Sequence, residues 1–374
     1  MRVQAAVVEE KSGPFLLQEL ELDEPRADEI LVRIEAVGIC QTDIHIQHQN
    51  LPVGLPYVLG HEGAGVVERV GAAVTSVAPG DHVVLSFQSC GHCAQCLSGK
   101  PSYCELALPA NFVGARLDGT RGIHRPEGND GPPVLGHFFG QSSFATYALT
   151  TERNTVKVPK DIPLEVLAPL GCGLQTGAGT VLNSLDLQRG QSIAVIGTGT
   201  VGLAAIMAAK AAGAGTIIGI DINDDRLKTA LELGATHTVN GSEKDVTAEI
   251  RAITGGRGVD AVVELTGRPE QVASALAAIA TRGTVALVGS PTPGVKAELE
   301  MINFGFGGSV RGVVQGDSVP QLFIPQLIDM YRAGIFPFDR LLSHYDFDDI
   351  NTAVADTRQG KAIKPVLRIG ATGR

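Results

Sequence analysis

The chain has 374 residues, of which 44% are apolar and 19% charged, and its formal net charge is -10. Because single hydrophobic cores stop growing near ~250–300 residues, this length predicts two domains. The acidic balance, without any run of Lys or Arg, argues against nucleic acid and anionic membranes as partners. No stretch is apolar enough to span a bilayer and the start of the chain does not resemble a signal peptide, so we expect a cytoplasmic protein.

The first part of the chain predicts short β-strands separated by Gly and Pro. They are expected at residues 4–8, 15–22, 29–38, 65–70, 81–87, 144–149 and 155–158. The third of them alternates strictly between polar and apolar residues, as a half-buried strand does. Residues 105–140 are rich in Gly, Pro and Asp and predict a long surface loop. Together these features predict a small barrel-like β domain with functional side chains on its loops.

A dense group of potential metal ligands lies between two of these strands, at Cys40 and in the sequence Gly60-His61-Glu62. Cys and His suit Zn²⁺, but two ligands do not hold it. A third ligand must come from elsewhere, and Cys172 is the one cysteine that belongs neither to this group nor to a cluster of four at 90–104. Three protein ligands leave the fourth tetrahedral position open, as in a catalytic zinc site. The alternative is that Cys40 and Cys172 are buried apolar side chains and His61 is a core histidine.

The other four cysteines follow the spacing C-x2-C-x2-C-x7-C, at Cys90, Cys93, Cys96 and Cys104. Disulfides are not expected in a reducing cytoplasm, so clustered cysteines favour a metal. Four sulfurs close a tetrahedron and leave no position for a substrate, which predicts a structural zinc. An iron–sulfur site is the alternative, but the fourth cysteine is close by and no Pro follows it.

A different pattern begins after residue 173. The continuous apolar strand at 192–196 predicts burial on both faces of a parallel sheet, and it leads into the sequence Gly197-Thr198-Gly199-Thr200-Val201-Gly202 and an Ala-rich helix. The next strand, at 216–222, contains Asp221, 19 residues after the last glycine. Such glycines let a pyrophosphate approach a helix N-terminus, and the acidic residue accepts hydrogen bonds from the adenosine ribose. The alternative is a tight strand–helix turn without a ligand.

Strands and helices then alternate. Helices are expected at 224–233, 243–254 and 269–280, and strands at 236–240, 259–265, 283–289 and 309–314, which predicts a doubly wound sheet. Further helical patterns at 321–333 and 350–357 and a last strand at 365–369 predict a return to the first domain. The expected domains are therefore 1–173 (catalytic), 174–312 (dinucleotide-binding) and 313–374 (the return).

Taken together, the three-ligand set, the four-cysteine lobe and the glycine loop resemble the zinc-dependent medium-chain alcohol dehydrogenases over essentially the whole chain. Local phrases at 84–87, 137–144, 169–173 and 312–320 resemble the bacterial aryl (benzyl) alcohol dehydrogenase branch. The resemblance implies an α/β fold, with a GroES-like β-barrel catalytic domain and a doubly wound Rossmann dinucleotide-binding domain. It also implies NAD, two Zn²⁺ per chain, an alcohol or aldehyde substrate, and a homo-oligomer, either a tetramer or a dimer.

The resemblance further implies roles for individual residues. Thr42 and His45 would relay the proton of the alcohol, through the nicotinamide ribose, to solvent, although a solvated loop histidine is the alternative for His45. Asp43 would orient the ring of His61, and Glu62 would lie near the metal. The cofactor contacts implied are Gly197, Gly199, Thr200, Val201, Gly202, Asp221, Arg226, Thr176 and Lys364, and the substrate pocket implied is Leu51, Phe138, Phe139 and Val310. Gln41 departs from the basic residue with which many members contact the cofactor pyrophosphate.

We therefore expect an NAD-dependent zinc alcohol dehydrogenase that interconverts a primary aryl or allylic alcohol, such as benzyl alcohol, and its aldehyde. A thiol-dependent formaldehyde dehydrogenase, acting on S-hydroxymethyl adducts, would share every motif. A catalytically silent dinucleotide-binding protein on the same scaffold is a third possibility. The intact set Cys40, His61 and Cys172 argues against it, since a binding module needs no open metal site.

Overall fold

The computed structural model describes residues 1–369, which divide into two compact units. The first unit contains Met1–Cys172, Val319–Gln326 and the chain from Asp339 onward, and the second contains Gly173–Ser318 and Leu327–Phe338. The first division lies one residue from the domain boundary expected at 173. Residues 313–318 and 327–338, expected to belong to the return, group with the second unit instead.

The N-terminal part of the first unit consists of short strands whose apolar side chains enter two core clusters. Its strands are β1 (Arg2–Val8), β2 (Phe15–Leu22), β3 (Glu29–Gly38), β4 (Tyr57–Val58), β5 (Gly63–Val70), β6 (His82–Leu85), β7 (Ile123–His124), β8 (Tyr147–Thr151) and β9 (Thr155–Lys157). Short helices lie between them, α1 (Gln41–Gln47), α2 (Ala94–Leu97) and α3 (Ala107–Phe112), and α4 (Leu164–Leu167) follows β9.

The second unit is a parallel sheet with helices in its connections. Its strands are β10 (Ser192–Ile196), β11 (Thr216–Asp221), β12 (His237–Asn240), β13 (Val259–Glu264), β14 (Ile279–Leu287) and β15 (Ser309–Gly312). Its helices are α5 (Gly173–Gly179), α6 (Thr200–Ala211), α7 (Asp224–Leu233), α8 (Val246–Ile253), α9 (Pro269–Ala277) and α10 (Ile302–Gly305). The strand order β12-β11-β10-β13-β14-β15 places the fully buried β10 in the middle, beside the point where the order reverses. This confirms the doubly wound fold and puts the glycine loop after β10 at the expected ligand edge.

The C-terminal part contains α11 (Pro320–Arg332), β16 (Leu342–Asp346), α12 (Ile350–Arg358) and β17 (Lys364–Arg368). Strand β17 pairs with β16 and, antiparallel, with β3, which completes the sheet β16-β17-β3-β5-β6-β9, while β8 also pairs with β3. A second sheet has the order β4-β1-β2-β7. Strand β17 thus belongs to a sheet of the first unit.

Several short elements differ from the expectations. The stretch 105–140, predicted as a loop, contains α3 and β7, and α1 and α5 were not predicted at all. Helices of four to seven residues carry too few turns for a clear apolar periodicity, and tertiary packing stabilises them. Within residues 1–369, no helix combines the length and the apolar character needed to cross a membrane.

Candidate active site

Helix α1 joins the two motifs of the first candidate metal site through one carboxylate. Cys40 is its N-cap residue, and the Cys40 backbone N–H donates to Asp43 Oδ2 at 2.9 Å. Asp43 is fully buried, and its Oδ1 accepts hydrogen bonds from the Gly60 N–H and from His61 Nδ1, both at 3.0 Å. The buried Asp43 side chain therefore fixes both the start of the helix and the orientation of the imidazole. A metal-binding histidine requires such a partner at its other ring nitrogen.

Three predicted ligands, Cys40, His61 and Cys172, come together, with Glu62 beside them. Their candidate ligand atoms all lie within 4.8 Å of one another. His61 is fully buried, and its Nε2 has no hydrogen-bond partner in the described part of the chain. A buried ring nitrogen without a partner is costly unless it binds a metal, so the site fits Zn²⁺ held by two sulfurs and one nitrogen.

The electrostatics of this group also suit a cation. Contact with Cys172 and the nearby His61 hold the pKa of the Cys40 thiol well below its usual value, against the opposing effect of burial. Burial alone would lower the pKa of His61, but Asp43 and Cys40 raise it well above its usual value. Negative charge is thus favoured at the sulfur, and thiolate is the form of Cys that binds metals.

A buried ion pair lies next to these ligands. Lys364 Nζ donates to Glu62 Oε2 at 2.6 Å and to the Ile39 carbonyl at 3.0 Å, and both charged side chains are almost completely buried. Burial would lower the pKa of Lys364, but Glu62 raises it. The resemblance implies a cofactor contact for Lys364, which stays a prediction, and the structure shows the ammonium group bonded to Glu62. Nothing in the local sequence indicates a pairing between residues so far apart in the chain.

The four-cysteine lobe has the geometry of a closed site. The ligand atoms of Cys90, Cys93, Cys96 and Cys104 lie within 4.8 Å of one another. Backbone N–H groups of Cys90 and Leu106 donate to Cys104 Sγ at 3.3 and 3.4 Å, and that of Cys93 donates to Cys90 Sγ at 3.4 Å. Such donors favour thiolates, and four sulfurs fit a tetrahedral Zn²⁺ with no position left for a substrate.

Aromatic rings surround His61. Phe139 stacks on the imidazole with a centroid distance of 4.4 Å, and Phe138 meets its edge at 5.3 Å. Phe112, on α3, packs against both phenylalanines at 5.9 and 5.2 Å. The sequence did not predict a role for Phe112, because it lies in the stretch expected to be a loop. Phe138 is 0% exposed and therefore supports the ligand from the core, whereas Phe139 is 7% exposed.

The remaining predicted residues of the first unit lie close by. Thr42 and His45 are three positions apart on α1 and thus on one helix face. Thr42 Oγ1 lies 3.7 Å from Cys40 Sγ, and burial lowers the pKa of His45. Leu51 packs, partly buried, against the core that contains the phenylalanines.

In the second unit, the glycine loop is tied to the end of β11. Asp221 Oδ2 accepts hydrogen bonds from the Thr198 N–H at 2.7 Å and from its hydroxyl at 3.0 Å. A Cβ on Gly202 would lie 1.9 Å from the Gly197 carbonyl oxygen, whereas a Cβ on Gly199 would meet nothing within 4 Å. The last glycine therefore allows α6 to pack closely on the loop, and the middle one leaves room for a ligand.

Other predicted cofactor and pocket residues are also found in this unit. Arg226 lies 4.0 Å from Asp221, and its buried Nε has no hydrogen-bond partner among residues 1–369. Thr176, on α5, donates to Gln315 Oε1 at 3.4 Å, and Val310 is a partly buried residue of β15. Thr200 and Val201 form the first turn of α6.

Comparisons with known proteins show the family of this chain. Residues 26–160 match the family described as alcohol dehydrogenase GroES-like domain, and residues 200–331 match the zinc-binding dehydrogenase family. Geraniol dehydrogenase of Castellaniella defragrans is 47% identical over 367 residues, which cover 97% of this chain and 97% of that protein. The chain belongs to the zinc-binding alcohol dehydrogenases.

Two solved structures have the same fold as this dehydrogenase over nearly the whole chain. An alcohol dehydrogenase zinc-binding domain protein from Burkholderia ambifaria is 50% identical, with a TM-score of 0.95 and coverage of 99% of each chain. Benzyl alcohol dehydrogenase from Acinetobacter calcoaceticus is 44% identical, with a TM-score of 0.95 and coverage of 99% of this chain and 100% of that one. The resemblance and the GroES-like and Rossmann fold predicted from the sequence are thereby confirmed.

Proposed function

We propose that this dehydrogenase oxidises primary aryl or allylic alcohols to aldehydes with NAD, at a zinc held by Cys40, His61 and Cys172. The observation that carries the proposal is the convergence of these three side chains, with a fully buried His61 Nε2 that has no hydrogen-bond partner among residues 1–369. Cys90, Cys93, Cys96 and Cys104 would hold a second, structural zinc.

Oxidation of an alcohol needs a hydroxyl group whose pKa has been lowered and a group that accepts the hydride. Zinc bound at the three-ligand site would lower the pKa of an alcohol hydroxyl, and a bound nicotinamide would take the hydride. The Thr42 hydroxyl, beside Cys40, would take the proton of the alcohol and give up its own in the same transfer, and His45, on the same face of α1, would be the base that passes a proton to solvent. Burial lowers the pKa of His45, so the neutral form that acts as a base is favoured near neutral pH.

The aromatic surroundings of His61 support an aryl or allylic substrate. Phe139 stacks on the imidazole of His61, and the rings of Phe112 and Phe138 pack against Phe139. Leu51 packs, partly buried, against the same core. Burial of apolar surface contributes roughly 25 cal/mol per Å², so a benzyl or terpenoid group gains more than an ethyl group. Relatives named geraniol dehydrogenase and benzyl alcohol dehydrogenase point the same way.

The second unit supports NAD rather than NADP. Asp221 ends the second strand of the doubly wound sheet, where a carboxylate accepts hydrogen bonds from a ribose diol and repels a 2′-phosphate. Thr200, Val201 and Thr176 would contribute further contacts, and Arg226 would reach the adenosine ribose or phosphate.

An alcohol panel with NAD tests the proposal. We expect kcat/KM to be far higher for benzyl, cinnamyl and geranyl alcohols than for ethanol. Ethanol as the better substrate would overturn the aryl or allylic preference. Higher kcat/KM with formaldehyde plus a low-molecular-weight thiol would indicate the S-hydroxymethyl adduct dehydrogenase instead.

Paired cysteine variants test the two metals. Cys40→Ser should abolish turnover while the protein stays folded, because the open site loses a ligand. Cys104→Ser is the matched control and should mainly lower stability. Elemental analysis should find two zinc ions per chain in the unmodified protein, and one zinc or any iron would contradict the proposal.

A further inference from the structure

Gln141 is a buried amide with every hydrogen-bonding position used. It is 2% exposed and follows the segment Phe138–Gly140, whose rings pack on His61. Its Oε1 accepts from the Gly63 N–H at 3.1 Å and from the Ser143 hydroxyl at 2.9 Å. Its Nε2 donates to the His61 carbonyl at 3.0 Å and to the Ser86 carbonyl at 2.9 Å. An amide has two donors and room for two acceptor contacts, so the side chain is saturated.

Two of these bonds hold the ligand segment that contains His61. The His61 carbonyl accepts from Gln141, and the Gly63 N–H donates to it, so one side chain binds the backbone on both sides of Glu62. A Cβ on Gly63 would lie 2.6 Å from Ser143 Cβ, which shows how closely this backbone approaches the segment of Gln141. The segment that contains His61, directly before β5, is thus fixed by its backbone as well as by the contact of its imidazole with Asp43.

The third bond leads toward a different ligand. Ser86 is fully buried, and its hydroxyl donates to the carbonyl of Gly171 at 2.7 Å, directly before Cys172. A Cβ on Gly171 would lie 2.1 Å from the Leu85 carbonyl oxygen, so the two backbones touch here. Gln141, through Ser86, therefore connects the chain segments of His61 and Cys172, which come from distant parts of the sequence.

We propose that Gln141 is a positioning residue, which sets the relative placement of the His61 and Cys172 segments and so determines how tightly the catalytic metal is held. Residues that orient metal ligands from behind affect metal affinity about 10- to 100-fold when replaced. No smaller or apolar side chain can satisfy the four groups that Gln141 contacts, and buried polar groups left unpaired drive local rearrangement. The inference rests on the proposed zinc site and adds a residue that determines how firmly this site holds its metal.

Replacement of Gln141 by Met tests this role, because Met keeps the length and removes all four bonds. We expect the metal at the three-ligand site to be lost to a chelator about tenfold faster than in the unmodified protein. In the time course of metal release to the chelator, the phase that belongs to this site is the one that is absent in Cys40→Ser. With Co²⁺ in place of zinc, the visible spectrum should also shift, since it reports ligand geometry. Gln141→Glu keeps the two acceptor contacts but turns a carboxylate oxygen toward the carbonyl oxygens of His61 and Ser86, so it should release the metal at least as fast as Gln141→Met.

Gln47→Met is the matched control. Gln47 is also a buried glutamine of the first unit, at the C-terminal end of α1, and its Nε2 donates to the carbonyl of Gly13, which belongs to neither the His61 segment nor the Cys172 segment. It should lose some stability but keep the metal release rate and the cobalt spectrum. If Gln141→Met behaves like Gln47→Met in both measurements, Gln141 is merely structural and the inference is wrong.

A second variant keeps the test decisive if Gln141→Met does not fold. Ser86→Ala removes the hydroxyl that binds the Gly171 carbonyl and changes little volume. Faster metal release would support the connection to Cys172, and an unchanged release rate would overturn it. If the unmodified protein holds no metal at Cys40, His61 and Cys172, the proposed function itself fails, which is a separate outcome.

Discussion

The buried ion pair beside the ligands gives a quantitative prediction for Lys364→Met. The ammonium group is 2.6 Å from Glu62 Oε2, and the two side chains are 2% and 0% exposed. Removing one partner of such a pair costs about 3–5 kcal/mol, because the other charge stays buried without compensation. The variant also loses the bond to the Ile39 carbonyl, which directly precedes the ligand Cys40. We therefore expect a loss in the upper part of that range.

Urea unfolding of the unmodified protein and the variants measures this loss. Lys361→Met is the matched control, since Lys361 pairs with Asp356 at 3.6 Å but is 64% exposed, and an exposed pair contributes at most about 1 kcal/mol. The double variant Glu62→Gln/Lys364→Met should recover much of the stability, because no unpaired charge remains.

Kinetics separate this structural role from the cofactor contact implied by the resemblance. A role in the ion pair predicts the large stability loss, whether or not the KM for NAD changes. A loss below about 1 kcal/mol together with a raised KM for NAD would refute the reasoning from the pair and favour a cofactor contact.

The other predictions concern the relay, the cofactor, the substrate and pH. His45→Gln should depress alcohol oxidation most at low pH, where hydroxide cannot replace the base, and a kcat/KM profile of unchanged shape would exclude His45 from the relay. Asp221→Ser should reduce the preference for NAD over NADP, and comparable kcat/KM for both cofactors in the unmodified enzyme would contradict the role of Asp221. Phe139→Ala should raise the KM for benzyl alcohol more than that for ethanol, and equal changes would show that the ring only packs on His61. Burial and Arg116 lower the pKa of His137 from 6.5 to about 4, so between these values the unfolded chain binds a proton that the folded protein does not. Stability should therefore fall as pH drops through this range, and His137→Asn, which tolerates the positive φ at this position, should reduce that fall in urea unfolding; the same pH dependence in both proteins would contradict it.

Much of the architecture follows from local sequence patterns. The strand, glycine loop and helix from Ser192 to Ala211 lie within one short stretch, and the structure gives the bounds predicted for the strand. The four cysteines of the lobe are also close in sequence, so their spacing alone was enough to group them. In such cases the groups that act together are held near one another by the chain itself.

The support of the active site depends on contacts that no local pattern encodes. Lys364 pairs with Glu62 from 302 positions away, and Gln141 reaches the His61 carbonyl from 80 positions away. Helix α3 brings Phe112 into contact with Phe139, and this contact was not predicted because the stretch has the composition of a loop.

The sequence by itself therefore determined which residues are candidate metal ligands, the glycine loop and the fold class, because each depends on residue identity and short spacing. Only the tertiary structure decided which buried polar groups complete one another around the ligands. That choice depends on strand pairing, such as β17 with β3, which brings Lys364 to the site. Buried charges and amides require partners, but any of several distant residues could supply them, and packing selects the one that does.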